Sequence, residues 1–502
     1  MKSFKVQIFI TLTAIWSVVW TYIGQSFLAH NQYNDADSSY FTYGGLIINN
    51  ENGLYKTFWD MKPPGIFYQN AFLIKLFEID FVAYAWVHGV LFLCCLLFLG
   101  IALSKHIGIF MSTSCIAFVA YYYNLSDYID YGNRPEFTMC LLEMLSAGFV
   151  LLYFKNNNPI FLNLAASCSC LAFFFKPVGM ASFLALMILF IIGLFSKKRK
   201  KSTIEILWIS LGFSIPLALI MFSWNSFEPL NAAIITPLKM SATYGPTLYD
   251  AAQQALWKYG PLWGFIPLIF SIPIVFVNNF RDKKLNQTML FLVLFFLTSL
   301  GGIIVQKRGS PHYFLQGVVP ILLLSAYCFH SLLFYIKQYR LKKIIIITFV
   351  AIILFFSRFS FHKQIVYYNF LEASYIVQKN KYTTLQTWLN QHLQTEDNIY
   401  YWSHGYQPYI LSNRKSPGLY SPCFLKYGDA GANLIIKDLD LVFKAQPKVV
   451  IELKDFQDGT FISGTNNKGQ QKKCFNKYKE WLNSHYSKKT NAVDGFNIYI
   501  KN

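Results

Sequence analysis

The amino-acid sequence predicts an α-helical polytopic membrane protein with about eleven transmembrane helices and a small C-terminal α/β domain. Of its 502 residues, 54% are hydrophobic and only 14% are charged, whereas soluble proteins carry about 25% charged residues. The apolar residues form blocks of about 18–24, long enough to cross a hydrocarbon core of about 30 Å as helices. Lys and Arg gather in short tracts between these blocks.

The first apolar block covers about residues 6–28 and follows Met-Lys-Ser-Phe-Lys. It is too long for the apolar region of a signal peptide and no clear cleavage site follows, which favours a retained span. Further spans are expected near residues 83–103, 107–123, 137–154, 159–175, 178–195, 204–223, 261–278, 286–305, 316–336 and 343–358.

The formal net charge of +19 is distributed as the positive-inside rule predicts. With a cytoplasmic N-terminus, alternation places the basic tracts at 197–201, 281–284 and 337–343 in the cytoplasm. The loop 30–82 and the C-terminal tail then lie outside. A nucleic-acid partner is not expected, because such proteins concentrate their charge in a folded basic groove.

The chain changes character in its last third. We expect residues 1–360 to form the transmembrane domain and residues 361–502 a small extracytoplasmic α/β domain. Helical patterns at 382–393, 432–444 and 471–485 alternate with strand-like runs at 398–402, 448–453 and 496–500, as in an α/β domain. In an oxidising compartment Cys423 and Cys474 would be candidates for a disulfide.

Ionisable and polar residues recur where apolar spans meet the outer loops, and ionisable groups at membrane depth tend to mark substrate pathways. Taken singly, each group also has a local explanation, such as a helix-end residue, an ion pair within a loop or a lysine that reaches the interface. Their joint placement on one side favours a site. The groups are Asp35 and Asp37; Asp60 and Lys62 with Pro63 and Pro64; Asn133, Arg134 and Glu136; Lys176; and Lys307, Arg308, His312, Tyr313 and Gln316.

This combination of residue types points to a lipid-linked phosphosugar. Lysines, an arginine and a histidine that converge from several spans would bind a phosphate at the bilayer surface. A nearby carboxylate would accept a proton from an attacking hydroxyl or amine. We expect the phosphate to leave and the sugar to pass to an acceptor that approaches from outside.

The loop after the first span carries a resemblance to a known family. Asp35-Ala-Asp-Ser-Ser-Tyr40, followed by Gly53-Leu-Tyr-Lys-Thr-Phe-Trp-Asp-Met-Lys-Pro-Pro-Gly-Ile-Phe67, resembles the first outer loop of GT-C-fold glycosyltransferases that use polyprenyl-phosphate sugars. The loop looks like that of the branch that holds the dolichyl-phosphate-mannose protein mannosyltransferases and the bacterial aminoarabinose transferases of lipid A. Asn133-Arg-Pro-Glu136 and the run 311–320 are similar to later family loops.

The resemblance implies a role for each matching residue. Asp37 or Asp35 would orient or deprotonate the acceptor, with Asp37 favoured by its spacing to Tyr40, and Lys62 would contact the donor phosphate. Arg308, His312 and Lys176 would add to the phosphate site by their placement. Tyr40, Asp60, Arg134, Glu136, Tyr313 and Gln316 are supporting candidates. Some relatives carry a metal-site carboxylate immediately before this lysine; Met61 stands there, and the sequence leaves a divalent metal open.

The function expected from the resemblance is inverting transfer of a sugar from a polyprenyl-phosphate donor to a protein, lipid or glycan acceptor. The compact tail favours a bacterial protein of the cytoplasmic membrane, with the active site on the extracytoplasmic side. Three alternatives stay open: a lipid-linked sugar flippase or transporter, a non-catalytic subunit of a glycan assembly complex, and a ligase that moves a whole glycan from a diphosphate donor. No cofactor is specified by the residues alone.

Overall fold

The computed structural model describes residues 2–31, 36–51, 53–125, 132–195, 199–224, 227–231, 286–306, 311–336, 379–403, 405–453, 469–489 and 492–502, together with a few isolated positions. The helices are α1 (Lys2–Asn31), α2 (Ala36–Glu51), α3 (Gly65–Phe77), α4 (Phe81–Tyr123), α5 (Pro135–Asn156), α6 (Ile160–Phe175), α7 (Ala181–Leu194), α8 (Arg199–Trp224), α9 (Gln287–Val305), α10 (Leu315–Tyr335), α11 (379–392), α12 (Gln407–Ser412), α13 (Gly428–Ala445) and α14 (Gln470–His485).

The helical bundle confirms a multi-pass membrane protein. Seven segments of the described chain are long and apolar enough to cross a membrane. Within the bundle, α5 packs on α4 and α6, α1 packs on α4, and α9 packs on α7 and α10. Of the eleven predicted spans, nine coincide with described helices, whereas almost all of 261–278 and all of 343–358 lie outside the described residues.

The helix α4 accounts for two predicted spans because the chain reverses inside it. Gly108 has φ 77° and ψ 163°, far from helical values. The two arms run back along each other: the Ser112 hydroxyl donates to the Gly100 carbonyl at 2.7 Å. The rings of Phe92 and Tyr123 stack with centroids 4.3 Å apart. Glycine is the residue that adopts this conformation without strain.

Three serines join α5, α6 and α7 inside the bundle. The hydroxyls of Ser146 and Ser169 lie 3.1 Å apart, and both contact the hydroxyl of Ser182, at 2.9 and 2.6 Å. All three side chains are fully buried. Small polar residues let membrane helices approach closely and hydrogen-bond to one another. The serines therefore fix α5 and α6, whose ends carry part of the later site, against each other and against α7.

The predicted outer loop 30–82 contains two helices that the sequence patterns did not identify, α2 and α3. The helix α3 begins directly after Pro63 and Pro64 and packs close to α6 at Gly65. A Cβ atom at Gly65 would lie 2.6 Å from the Phe174 carbonyl oxygen, so only glycine permits this approach.

The C-terminal part of the chain forms a four-stranded sheet with helices α11–α14. Its strands are β1 (Ile399–Trp402), β2 (Val449–Leu453), β3 (Tyr486–Lys489) and β4 (Phe496–Lys501), in the order β1-β2-β4-β3. The pair β1–β2 is parallel and the other two pairs are antiparallel. Three strands and three helices match the predicted runs; β3 was not predicted. Cys474 is a free, buried thiol; the side chain of Cys423, its candidate disulfide partner, lies outside the described part of the structure.

The reversal at Gly108 generates a stability prediction. The Gly108→Ala variant should lower the free energy of unfolding by about 1–3 kcal/mol, because an L-residue is strained at this φ and ψ. The measurement is the thermal unfolding of the purified protein in detergent. Steric clash does not contribute, since no atom lies within 4 Å of a Cβ built at Gly108.

Gly301 in α9 provides a matched control. Nothing lies within 4 Å of a Cβ at Gly301 either, and its conformation is helical. Gly301→Ala should therefore stabilise the protein by up to about 1 kcal/mol. Equal effects of the two substitutions would contradict the assigned reversal.

Asp438 in α13 generates a pH prediction. Burial raises the pKa of its carboxyl to about 6, against the opposing effect of the Leu419 and Tyr420 amides. In the unfolded chain the pKa is about 3.9, so the folded state binds this proton more tightly. The free energy of unfolding should fall by about 3 kcal/mol as the pH rises from about 4 to about 6. Hydrogen exchange of the β2 amides in the intact protein measures this.

The Asp438→Asn variant should lose that pH dependence. Asp440, two residues along the same helix, is the control: its side chain is exposed and pairs with Lys477. Asp440→Asn should keep the wild-type profile, and an unchanged profile in Asp438→Asn would refute the assignment.

Candidate active site

The first turn of α2 presents Asp37 to two cations. Arg134 donates from Nη1 to the Asp37 Oδ2 atom, and the Lys62 Nζ atom lies 4.0 Å from the same oxygen. The Arg134 side chain is only 9% exposed, whereas those of Asp37 and Lys62 are 26% and 32% exposed. A buried arginine thus holds the carboxylate while one side of the carboxylate and lysine stays accessible. We call these three residues the Asp37 cluster.

A tight turn before α5 places Arg134. Gly132 and Asn133 both have positive φ, at 84° and 41°, a region that glycine and asparagine tolerate best. The side-chain amide of Asn133 donates to the side-chain oxygen of Asn70 at 2.9 Å. The Ser38 hydroxyl donates to the Gly132 carbonyl at 3.0 Å. Asn70 of α3 therefore helps to set the turn, although the sequence offered no periodic signal for it.

The second group of charges follows immediately along the chain. Pro135 occupies the first position of α5, where its fixed φ suits a helix start, and Glu136 lies in the first turn. Lys176 hydrogen-bonds to Glu136 Oε1, and the His312 Nε2 atom lies 4.0 Å from the same oxygen. All three side chains are largely buried. We call Glu136, Lys176 and His312 the Glu136 cluster.

Three helix ends converge on the Glu136 cluster. Lys176 follows the last residue of α6, and its ammonium lies 3.7 Å from the ring centroid of Tyr313, a cation–π contact. Gln316 in the first turn of α10 donates to the Val178 carbonyl at 2.6 Å. The end of α6 and the start of α10 are thus tied together beneath the site.

The segment that carries Lys62 is held by two tyrosines. Tyr55 has φ 65°, a strained value for a bulky residue, and its hydroxyl donates to the Lys62 carbonyl at 2.6 Å. Burial raises the pKa of the Tyr55 hydroxyl well above its usual value, with the Asp60 carboxylate contributing, so it stays a donor. The Tyr40 hydroxyl donates to the Trp59 carbonyl at 2.9 Å.

Most of the predicted site residues meet at one end of the bundle. The structure brings Asp37, Lys62 and Arg134 together, and Glu136, Lys176, His312, Tyr313 and Gln316 beside them. Asp60 is buried, and its Oδ1 atom accepts the Met61 amide at 2.6 Å. Asp35, Lys307 and Arg308 lie outside the described residues. Asn70 and the structural role of Tyr55 were not predicted from the sequence.

A metal at the family position does not fit the residues present. Met61 precedes Lys62 and offers a thioether, whereas hard divalent cations bind oxygen ligands. Across the described ranges, no three His, Cys, Asp or Glu side chains are grouped as metal ligands.

A cavity of about 690 Å³ lies between α3, α4, α6 and α8. Pro64 and Gly65 form part of its wall, two and three residues after Lys62, together with Tyr68, Phe174 and Trp224. Tyr68 is also exposed on the outer surface of the bundle. The lining of the cavity thus runs from the residues that follow Lys62 to exposed side chains such as Tyr68 of α3 and Leu91 of α4.

Comparisons with known proteins detect the fold but no relative in sequence. No protein-family model matches the chain, and no curated protein matches it. The crystal structure of ArnT from Cupriavidus metallidurans bound to undecaprenyl phosphate matches with a TM-score of 0.58 at 10% identity, over 99% of this chain and 98% of that one. The chain has the ArnT fold.

The apo structure of the same ArnT gives the same result, with a TM-score of 0.57 at 10% identity over 92% of this chain and 95% of that one. ArnT is a GT-C protein, so the GT-C fold predicted from the first loop is confirmed. The ArnT-like architecture includes the helical bundle and the small C-terminal sheet.

The buried pair of Lys176 and Glu136 generates a stability prediction. Lys176→Met should lower the free energy of unfolding by about 3 kcal/mol, because it leaves the Glu136 carboxylate buried without its main counter-charge. Lys176→Met combined with Glu136→Gln should recover most of that loss. Thermal unfolding of the purified variants tests both expectations.

The control is the exposed pair of Lys477 and Asp440 in the C-terminal part. Lys477→Met should change the free energy of unfolding by less than about 1 kcal/mol, because solvent screens such pairs. If Lys176→Met is equally mild, the Glu136 cluster does not contain a buried ion pair.

Proposed function

We propose that the chain is an integral-membrane inverting glycosyltransferase that moves a sugar from a polyprenyl-phosphate donor to an acceptor on the extracytoplasmic side. The observation that carries the proposal is the Asp37 cluster. A partly exposed carboxylate, oriented by a buried arginine, lies 4.0 Å from a partly exposed lysine. The carboxylate can accept the proton that the nucleophile loses, and the lysine can bind the departing phosphate.

Asp37 acts on the acceptor in this proposal. The bond from Arg134 orients one carboxylate oxygen, and the carboxylate accepts the proton of the attacking hydroxyl or amine as the new bond to the anomeric carbon forms. The bond between that carbon and the phosphate oxygen breaks at the same time, and its electron pair leaves with the polyprenyl phosphate. A single displacement inverts the configuration of the sugar.

Lys62 acts on the donor. Its carbonyl is fixed by Tyr55 at 2.6 Å, and its ammonium lies 4.4 Å from the centroid of the Phe41 ring. A cation already in place stabilises the charge that develops on the leaving phosphate without rearrangement during the reaction. The phosphate-binding roles of Lys176, His312 and Arg308 stay predictions; the first two contact Glu136 in the structure.

The apolar cavity supports a lipid-linked donor. We assign the polyprenyl chain to it because its wall includes Pro64 and Gly65, next to Lys62, and because it is lined mainly by apolar side chains of four helices. A chain in the cavity would bring its phosphate to the lysine. The structural neighbour ArnT was crystallised with undecaprenyl phosphate, which agrees with a carrier of this chemical class.

The proposed location is the bacterial cytoplasmic membrane. The basic tracts between spans support a cytoplasmic N-terminus. The ends of the helices that carry both charge clusters, and the C-terminal α/β domain, then lie on the extracytoplasmic side.

The decisive test is label transfer from a radiolabelled polyprenyl-phosphate sugar by the purified protein in lipid. The wild type should release polyprenyl phosphate and transfer the sugar. Asp37→Asn should lower kcat about 10²- to 10⁴-fold, as expected for loss of a general base. Lys62→Ala should lower it by a similar factor, about 10²–10³, because the leaving phosphate loses its positive partner.

Lys56→Ala is the matched control, because Lys56 is an exposed lysine of the same loop. It should transfer sugar at the wild-type rate. A protein that binds the donor but transfers no sugar to any acceptor fraction, with variants indistinguishable from wild type, would instead favour a transporter or an assembly subunit.

A further inference from the structure

Three consecutive side chains at the start of α2 contact both the membrane bundle and the C-terminal part of the chain. Asp37 meets the cations of the Asp37 cluster, and the Ser38 hydroxyl donates to the Gly132 carbonyl at 3.0 Å. The Ser39 hydroxyl accepts the backbone amide of Tyr406 at 2.9 Å. The residue proposed as the base is therefore followed by one anchor to the membrane bundle and one to the C-terminal part.

A second anchor to the C-terminal part lies one helical turn later. The Tyr43 hydroxyl accepts the backbone amide of Ser416 at 2.8 Å, and the Tyr43 ring stacks on that of Tyr406 with centroids 4.6 Å apart. Burial raises the pKa of Tyr43, so the hydroxyl stays protonated. Ser39 and Tyr43 share one face of α2, because residues four apart are neighbours on a helix.

The same C-terminal segment also contacts the residues that precede Lys62. The Trp59 amide donates to the Leu419 carbonyl at 3.0 Å, and the Trp59 ring packs against Tyr420 and Phe424. Trp59 is three residues before Lys62. The segment 406–420 thus contacts both chain segments whose charged groups face each other in the Asp37 cluster.

These contacts fix the position of α2 in addition to burying one face of the helix. Apolar packing between α2 and the C-terminal part would tolerate a small rotation or slide of the helix, whereas hydrogen bonds have narrow ranges of distance and angle. Each of the three bonds uses a main-chain group of residues 406–419. Together, the three bonds fix the rotation of α2 about its axis and its position along that axis relative to the segment that carries Lys62.

We propose that Ser39 and Tyr43 are positioning residues, through which the C-terminal domain sets the separation of Asp37 and Lys62 needed for sugar transfer. Neither residue is itself one of the proposed reacting groups. The inference rests on the proposed transfer reaction, which needs acceptor and leaving phosphate at matched positions. A displacement of about 1 Å of a group that positions substrate can cost about a hundredfold in rate.

The test compares Ser39→Ala, Tyr43→Phe and the double variant with wild type in the label-transfer assay. The double variant should lower kcat about a hundredfold and change KM for the polyprenyl-phosphate donor by less than about twofold. Hydrogen exchange at the Tyr406 and Ser416 amides should increase in the same variants, because those amides lose their acceptors.

Ser484→Ala is the matched control, since the described contacts of the Ser484 hydroxyl are all with α14 itself, at Glu480, Trp481 and His485. It should leave kcat and both amide exchange rates unchanged. A wild-type kcat in the double variant overturns the inference, and so does a loss that raises KM in proportion or accompanies global unfolding. A wild type without any transfer overturns the proposed function itself and, with it, this inference.

Discussion

A charge placed beside the hydrocarbon region needs a counter-charge, and this requirement organises the functional end of the molecule. The run Arg134-Pro135-Glu136 carries two charges of opposite sign at the start of one helix. Arg134 neutralises Asp37, and Glu136 neutralises Lys176 with His312 nearby. Because proline starts the helix between them, the two clusters form on one short, rigid piece of backbone. Displacing this piece would separate both sets of charges at once.

The two clusters differ in how much of their side chains is accessible to solvent. Glu136 and its partners are nearly enclosed, and their contacts join α5, α6 and α10. Asp37 and Lys62 keep about a quarter and a third of their side chains accessible. The accessible carboxylate and lysine can be reached by a substrate, as the proposed reaction with an anionic donor requires.

The bundle and the candidate site were predictable from the sequence to different extents. Spans such as α5 and α10 follow from long apolar runs, whose length is set by the bilayer and not by neighbouring residues. The Asp37 and Lys62 segment was predictable because its motif is local. Asn70 was not, because a single amide on a helix becomes significant only when Asn133 lies opposite it. The short edge strand β3, with its exposed lysines, lacks the apolar alternation that identifies a strand.

The reversal at Gly108 has a consequence for how this sequence can change over generations. Elsewhere, connections between helices take up inserted or deleted residues as longer or shorter loops. At Gly108 the two arms of α4 meet at one non-helical residue, and side chains on one arm are matched to the other, as Phe92 is to Tyr123. An added residue in either arm would rotate its contact face by about 100°. Insertions and deletions are therefore confined to other connections, and related chains should align through this hairpin without gaps.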